Sequence, residues 1–246
     1  MRNIKLVIEY DGTSYKGWQI QPDVPSIQEE LQKAVYRVTG EEVEVIGSGR
    51  TDAGVHAKGQ VANFYTKSRI PAEKFCYALN NTLPFDIVVK ESVEAQTDFH
   101  ARYSAKGKVY SYTILNSRFN SPILRNFVYH INYCDKLDTD IMKKACECFV
   151  GTHDFYGFMA AGSKVKDTVR TIYSIDVGLY DELIKLTYCG NGFLYNMVRI
   201  ITGTILYTAI GKISLEELPD IISSKNRIQA GITVPPGGLC LEKVLY

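Results

Sequence analysis

Hydrophobic and polar positions in the N-terminal half predict strand, helix, strand, strand, helix and strand in turn. Residues 4–10 alternate in character, which predicts a strand. Ser26 and Glu29 form a capping box for a helix that Gly40 ends. The remaining elements of this half are predicted as strands near 43–48 and 60–66, a helix from Pro71 to about Asn80 and a strand near 86–95.

The second half repeats this order of elements. They are predicted as a strand at about 107–115, a helix near 137–149, strands at about 168–178 and 183–190 that form a hairpin around Tyr180 and Asp181, helices over roughly 193–210 and 214–224, and a last strand at 239–245. Two successive split βαβ units give an α+β fold, with ferredoxin-like or RRM-like halves, antiparallel sheets and helices on one face. We therefore expect an N-terminal domain over 1–104, a C-terminal domain over 105–246 and an active-site cleft between them.

The stretch 47–60 (GSGRTDAGVHAKGQ) is the strongest candidate for a functional site. Its four glycines indicate tight turns or close backbone approach, so neither an ordinary helix nor an ordinary strand is expected there. One carboxylate, Asp52, lies at its centre, with Arg50 two residues before it and His56 four residues after it. Composition alone leaves a second interpretation open, a long hairpin in which Asp and Thr only bond their own backbone.

Composition narrows the class of protein. A chain of 246 residues with 46% hydrophobic residues is long enough and apolar enough to bury a substantial core. Because no signal-peptide pattern and no apolar run of about 18 residues occurs, we expect a soluble protein of the cytoplasm. Six cysteines without zinc spacing are expected to be reduced, structural thiols: Cys76, Cys134, Cys146, Cys148, Cys189 and Cys240.

Charge is segregated along the chain although the net charge is only +1. No acidic residue occurs between Asp98 and Asp135 or between Glu182 and Glu216, and both runs carry Lys and Arg. The low net charge argues against a protein that coats nucleic acid indiscriminately. The segregation still allows one positive face that attracts a polyanion, or a solvated face without a partner.

Several chemistries lack their residues in this sequence. The glycine stretch does not end in the Lys-Ser/Thr of a phosphate-binding loop, the four histidines are scattered, and no serine lies in a nucleophile elbow. A lone carboxylate suits attack or proton removal on a nucleoside whose leaving group stays bound. Tyrosines and phenylalanines interleave with Lys and Arg over 103–129, which is typical of RNA contacts but also of half-buried strands. The residues alone thus point to an enzyme that acts on RNA.

The run GRTDAGVHA at 49–57 resembles the signature of the tRNA pseudouridine synthases that modify the anticodon stem. Further segments agree in order and spacing: YDGT at 10–13, GWQ at 17–19, FHAR at 99–102, YSY at 110–112, GF at 192–193, MVR at 197–199 and GLCL at 238–241. The resemblance covers essentially the whole chain. It implies isomerisation of uridine to pseudouridine at positions 38–40 of the anticodon stem-loop, by a homodimer that uses no cofactor and no metal.

The resemblance also implies a role for each matching residue. Asp52 is expected to be catalytic, by attack on the base, attack on C1′ or removal of a ribose proton. Arg50 is expected to hold the gap left by the flipped nucleotide, Tyr110 to stack on the uracil, and Arg199 to pair with the carboxylate. Leu241 is expected to line the pocket. The basic residues that we expect to contact tRNA are Lys58, Arg102, Lys106, Lys108, Lys164 and Lys166.

Two other functions remain open from the sequence. One is a catalytically silent RNA-binding or chaperone-like protein on the same fold. The other is a nucleoside hydrolase, which requires a second carboxylate such as Asp11 and releases free uracil.

Overall fold

The computed structural model describes residues 1–132, 137–163 and 165–246. Within these residues the chain is α+β, with mostly antiparallel strands and five α-helices. It divides into two compact units: unit 1 comprises 1–106 together with 240–246, and unit 2 comprises 107–239. The sequence-based boundary after residue 104 places the last strand in the second half, whereas the chain returns to unit 1 for that strand.

Unit 1 is a twisted sheet with two helices. In chain order its elements are β1 (Arg2–Tyr10), α1 (Ile27–Thr39), β2 (Ile46–Gly47), β3 (His56–Thr66), α2 (Phe75–Asn80) and β4 (Ile87–Ala95), and β10 (Leu239–Leu245) completes it from Cys240 on. β1 lies between β3 and β4 and is antiparallel to both. The opposite edge of β3 pairs with β2 at one end and, in parallel, with β10 at the other.

Helix α1 begins and ends where the sequence predicts. The Ser26 hydroxyl accepts a hydrogen bond from the Glu29 amide, and Gly40 adopts the left-handed conformation that closes the helix. Ile27, Leu31 and Val35 are fully buried. The apolar stripe therefore anchors α1 in the core of unit 1.

The predicted strand at 43–48 is wrong over most of its length. Only Ile46–Gly47 is strand, because the side-chain amides of α1 take over the hydrogen bonds of Val45. Gln28 Nε2 donates to the Val45 carbonyl at 2.9 Å, and the Val45 amide donates to Gln32 Oε1 at 3.2 Å. A backbone satisfied in this way has no need of a strand partner.

Strand β3 begins at His56, four residues before the predicted start, so the end of the glycine stretch is regular strand after all. Gly59 fits there because it lies against β10. A Cβ on Gly59 would come within 2.5 Å of the Glu242 carbonyl. This glycine therefore serves strand packing and not a turn.

Unit 2 consists of five strands and three helices among its described residues. They are β5 (Gly107–Asn116), β6 (Tyr129–Ile131), α3 (Thr139–Phe149), β7 (Gly151–Asp154), β8 (Val169–Tyr180), β9 (Leu183–Gly190), α4 (Met197–Ala209) and α5 (Leu218–Ser224). The strand order is β6-β5-β9-β8-β7, antiparallel except for β6 beside β5. The short strands β6 and β7 are absent from the sequence-based prediction.

Both C-terminal helices begin later than predicted. α4 starts at Met197 and not near 193, because Asn196 adopts a left-handed backbone with φ of 60° that no helix contains. α5 starts at Leu218 and not at Ser214, because Ser214 and Glu217 exchange two hydrogen bonds in a separate turn. Within the described residues, no helix has the length and apolar character that crossing a bilayer requires.

The thiol prediction holds for four of the cysteines. Cys76, Cys146, Cys148 and Cys189 are free. Burial raises the pKa of the Cys146 thiol to about 12, so it is protonated and inert at neutral pH. Cys134 lies outside the described residues.

Candidate active site

The loop that carries Asp52 starts from a buried amide on β3. Gln60 is fully buried and its Oε1 accepts hydrogen bonds from the Ser48 hydroxyl at 2.6 Å and from the Val61 amide. Its Nε2 donates to the Gly49 carbonyl at 3.0 Å. The Ser48 amide also donates to the Val61 carbonyl. The first residues of the loop are thus tied to β3 through both side chain and backbone.

The middle of the loop is held by hydrogen bonds to β1 and to the turn that follows β1. The Tyr10 and Thr51 hydroxyls share a buried hydrogen bond of 2.8 Å. Burial raises the pKa of Tyr10, so its hydroxyl stays protonated at any physiological pH. The Thr51 carbonyl accepts a hydrogen bond from the Trp18 amide at 3.1 Å. Residue 51 is therefore held by its side chain and by its backbone.

Glycines allow this turn to touch the loop. Gly17 has a positive φ of 92°, and a Cβ there would collide with the Thr51 carbonyl and approach the Asp52 carbonyl carbon. Gly12 similarly leaves no room for a Cβ beside the Val55 carbonyl. The backbones of the two segments consequently approach more closely than any other residue type would permit.

Asp52 heads a tight turn. Its carbonyl accepts a hydrogen bond from the Val55 amide at 3.1 Å, and Gly54 takes the positive φ that this turn requires. The Gly54 amide in turn donates to the Tyr15 carbonyl. Asp52 itself is half-buried. The backbone that carries this carboxylate is therefore held by hydrogen bonds, as the backbone of a nucleophile or base needs to be.

His56 connects the start of β3 to the turn at 11–13. It is 5% exposed, its Nδ1 lies 3.0 Å from the Gly12 amide that donates to it, and it lies 3.1 Å from Asp11 Oδ1. Asp11 Oδ1 also accepts hydrogen bonds from the Thr13 amide and hydroxyl.

The other candidate residues of unit 1 differ widely in exposure. Arg50 is exposed, and its Nε donates to Gln19 Oε1 at 3.2 Å. Leu241 is fully buried and is paired with Ala57 in the parallel β10–β3 ladder. Lys58 is exposed but forms an ion pair of 3.4 Å with Glu242.

In unit 2, Tyr110 lies on β5 opposite Tyr188 of β9. It is 7% exposed, and its ring meets the Phe193 ring edge to face at a centroid distance of 5.4 Å. Phe193 precedes α4, so the pair links β5 to the start of that helix. The ring orientation of Tyr110 is therefore fixed by an aromatic neighbour.

Arg199 lies in the first turn of α4 and is held by two acceptors of unit 2. Its Nε donates to the Val234 carbonyl at 2.7 Å, and its Nη1 donates to Asn196 Oδ1 at 2.6 Å. These bonds commit two of its five N–H donors to a rigid frame. These two hydrogen bonds consequently give the guanidinium a defined position.

The remaining basic candidates are distributed over both units. Arg102, Lys106 and Lys166 are exposed, and Lys108 is half-buried on β5. Arg102 lies 5.7 Å from the centroid of the exposed Tyr103 ring, which stacks against His100. Lys164 lies outside the described residues.

The sequence predicts no role for Gln60, Tyr10 or Thr51, although their hydrogen bonds hold the loop in place. The available signal was a polar residue at a strand position next to apolar residues, since Gln60 directly precedes Val61 and Ala62 on β3. Such a residue is buried only when a partner satisfies it. Among the described residues, no cluster of three His, Cys, Asp or Glu side chains could hold a metal ion.

Known proteins resemble this chain over its full length. A family model described as tRNA pseudouridine synthase matches residues 6–104 and 145–246. Proteins named tRNA pseudouridine synthase A from Thermoanaerobacter sp. (strain X514) and Acetivibrio thermocellus are 53% and 52% identical, each over 100% of both chains. A Clostridium perfringens protein named tRNA pseudouridine synthase A 2 is 53% identical with the same coverage. A chain from a solved structure titled "Crystal Structure of a Cbf5-Nop10-Gar1 Complex" matches with a TM-score of 0.34 and 14% identity, over 83% of this chain and 53% of that one.

Proposed function

The chain belongs to the tRNA pseudouridine synthase family, and we propose that it isomerises uridine to pseudouridine at positions 38–40 of the tRNA anticodon stem-loop. The observation that carries the proposal is Asp52, a single carboxylate at the centre of a loop whose backbone is held by Tyr15, Trp18 and Gln60. Pseudouridine formation breaks the bond between N1 and C1′ and makes one between C5 and C1′. No atoms or electrons are gained overall, so one precisely held acid suffices.

We assign the catalytic role to Asp52, which acts as nucleophile on the base or on C1′, or as base on the ribose. Each of these requires the ionised carboxylate. Burial beneath a base would raise the pKa of such a group, and a guanidinium opposes that shift. Arg199 is our choice for this cation, because its position is already fixed by Val234 and Asn196.

The substrate contacts follow from the local setting of each residue. Tyr110, braced by Phe193, stacks on the uracil. Arg50 is exposed on the same loop as Asp52, so it can fill the space that the flipped nucleotide leaves. Leu241, beside Ala57 in the ladder, lines the pocket.

Phosphate contacts are assigned to exposed cations. Arg102, Lys106 and Lys166 have the exposure that such contacts need. From the sequence pattern alone, we also assign phosphate contacts to Lys108 and Lys164. Lys58 joins them only by exchanging its Glu242 partner for phosphate. Stacking of Tyr103 beside Arg102 also suits an unpaired base.

At the level of architecture we propose two split βαβ halves, with helices on one face of each sheet. We also propose that the enzyme is a homodimer of the cytoplasm, where its tRNA substrate is made. Two copies of a nearly neutral chain double the area of a positive groove without concentrating charge on one fold.

Replacement of Asp52 by Asn tests the function directly. The amide has the shape of the carboxylate but cannot act as nucleophile or base, so we expect pseudouridine formation to fall by at least about a thousandfold. Binding of tRNA should stay within a few fold. The measurement combines nucleotide-resolved mapping of pseudouridine in unmodified tRNA with a binding assay. Asp181→Asn, in the left-handed turn between β8 and β9, is the matched control and should retain wild-type rates.

Two outcomes would replace the proposal by one of its alternatives. A wild-type protein that binds tRNA but forms no pseudouridine is a silent RNA-binding protein. Release of free uracil, abolished by Asp11→Asn, indicates a nucleoside hydrolase. The Asp11 carboxylate already accepts two hydrogen bonds from Thr13 and faces His56, which favours a structural role for it.

A further inference from the structure

Residues 227–235 of unit 2 pack directly on helix α4. We call this segment the strap. Gly203 of α4 and Gly231 of the strap meet backbone to backbone, and a Cβ on Gly231 would come 2.5 Å from Gly203 atoms. The Gly231 amide donates to the Thr204 hydroxyl at 2.8 Å. The Val234 amide donates to the Arg199 carbonyl at 3.4 Å. The strap therefore follows the helix along its first two turns.

The far end of the strap supplies two acceptors to functional elements. The Val234 carbonyl accepts the hydrogen bond from Arg199 Nε at 2.7 Å. The next carbonyl, that of Pro235, accepts one from the Tyr112 hydroxyl at 2.7 Å. Tyr112 lies two residues from Tyr110 on β5 and so points to the same side of the strand. A displacement of the strap would thus move the guanidinium and loosen the strand that carries the stacking tyrosine.

Arg227 closes the strap onto itself. Its Nη1 donates to the Gly231 carbonyl at 2.9 Å and to the Ala230 carbonyl at 3.5 Å, and its Nη2 donates to the Thr233 hydroxyl at 3.0 Å. A planar guanidinium can span these acceptors, whereas an ammonium or an amide cannot reproduce the fork. The turn between residues 227 and 233 is consequently held by one half-buried side chain.

We propose that Arg227 is a positioning residue for the reaction, which orders the strap so that the Val234 carbonyl aims the Arg199 guanidinium. The inference rests on the role proposed above for Arg199. Arg227 has no contact with the reacting atoms in this scheme. Its effect passes through Val234 to Arg199.

The experiment measures kcat and KM for unmodified tRNA in Arg227→Gln. Because misplacement of a pre-organised group slows chemistry more than binding, we expect kcat to fall about tenfold and KM to change by less than about twofold. Arg227→Lys should recover part of kcat. Arg170→Gln is the matched control, since Arg170 is a half-buried arginine of unit 2 that also bonds backbone carbonyls. It should leave kcat unchanged.

A double-mutant cycle separates positioning from general stabilisation. If Arg227 acts through Arg199, Arg227→Gln should cause no further loss of kcat in an Arg199→Ala background. Independent, multiplying losses would overturn the inference, and so would a wild-type kcat for Arg199→Ala. Failure of the wild-type protein to form pseudouridine would refute the proposed function instead.

Two further variants keep the test available if Arg227→Gln does not fold. Thr233→Val removes one acceptor of the fork and should lower kcat in the same direction with a smaller amplitude. Gly231→Ala lifts the strap from α4 and should lower kcat at unchanged tRNA affinity. Wild-type kcat in both folded variants would contradict the inference.

Discussion

Individual glycines with positive φ serve different purposes in this protein, and Gly17 is the one that packs against the Asp52 loop from outside that loop. Its φ is 92°, and a side chain there would collide with the Thr51 carbonyl. Gly40 has a similar φ of 71°, but nothing lies within 4 Å of its missing Cβ. A substitution at Gly40 therefore tests backbone strain alone, whereas one at Gly17 tests backbone strain together with a steric clash against the loop.

Alanine substitutions at these two positions should therefore differ in their effect. Gly40→Ala is expected to lower the free energy of unfolding by about 1 kcal/mol, the cost of left-handed backbone. Gly17→Ala should cost about 2 kcal/mol more, because Thr51 must move, and should reduce kcat at temperatures where the protein is fully folded. Urea unfolding and kcat measure the two effects. Equal costs with unchanged kcat would show that Gly17 does not position the loop.

Tyr110 offers a test of stacking on the substrate. Tyr110→Phe keeps the ring and its contact with Phe193, so tRNA binding and turnover should be retained. Tyr110→Ala removes the ring, and we expect binding of the target nucleotide to weaken by about 1–3 kcal/mol. Single-turnover rates over a range of tRNA concentration separate these effects. Equal behaviour of the two variants would contradict the stacking role.

The sequence identifies residues that carry chemistry better than residues that hold them. Asp52 is visible because a lone carboxylate among glycines is unusual and because the run around it is specific. Gln60 and Thr51 are not visible, since their roles depend on which strands become neighbours. Leu241 is predicted for the pocket and is buried, but burial alone does not distinguish a pocket wall from a core.

At the scale of elements, local signals decide where predictions succeed. α1 begins at its capping serine because the cap lies within three residues of its partner. The prediction of strand for the first residues of 43–48 is wrong, because the side chains of Gln28 and Gln32 form the hydrogen bonds of the Val45 backbone. The predicted start of α4 is wrong because the hydrophobicity pattern does not show that Asn196 adopts a φ of 60°. Long periodic segments are predictable, whereas their ends depend on tertiary contacts.

An ion pair between elements of unit 2 gives a pH-dependent contribution to stability. Asp154, at the end of β7, lies 2.7 Å from Lys225, which follows α5. The hydrogen bond from Lys225, followed by that from Thr168, holds the pKa of Asp154 below its ordinary value. A carboxylate with a lowered folded-state pKa stabilises the fold above its unfolded pKa, near 4, and loses that contribution as the pH falls through the folded value.

Asp154→Asn should remove this dependence while it keeps the Oδ1 acceptor for Thr168 and Tyr156. Because the pair is partly exposed, we expect a loss of about 1 kcal/mol or less at pH 7, which vanishes toward pH 3. Urea unfolding of both proteins between pH 3 and pH 7 measures it. In a Lys225→Met background the same substitution should cost less, and an undiminished cost there would exclude the ion pair as the cause.

At the scale of the whole molecule, the chain begins and ends in unit 1. The sequence predicts two consecutive halves because the order of predicted elements repeats. Hydrophobic periodicity does not indicate which strands become neighbours. The return of residues 240–246 to unit 1 depends on long-range pairing between β10 and β3. Such pairing leaves no local pattern, so the simple division at residue 104 was the natural prediction.

Tyr246 provides the test of this return. Its hydroxyl donates to the Ala101 carbonyl at 2.7 Å, and its ring lies under Lys5 Nζ at 4.8 Å and against Phe99. Tyr246→Phe should cost about 1 kcal/mol for the lost hydrogen bond, and Tyr246→Ala about 2–3 kcal/mol. Hydrogen exchange should rise in unit 1, including the Lys106 amide that donates to Leu245. Increased exchange confined to residues 107–239 would contradict this.

The return of β10 has a consequence for the order of folding. Lys58 and Glu242 are 184 positions apart in sequence, so joining β10 to β3 closes a very large loop. Within unit 2, Gly238 already contacts Tyr112 and Thr113 near the start of that unit. Once unit 2 has formed, the loop that remains to be closed is much shorter than the full separation in sequence. Folding of unit 2 before unit 1 therefore speeds the pairing of β10 with β3 in the unit that contains Asp52. A substitution that slows the folding of unit 2 then delays the appearance of activity, although it changes no residue of the catalytic loop.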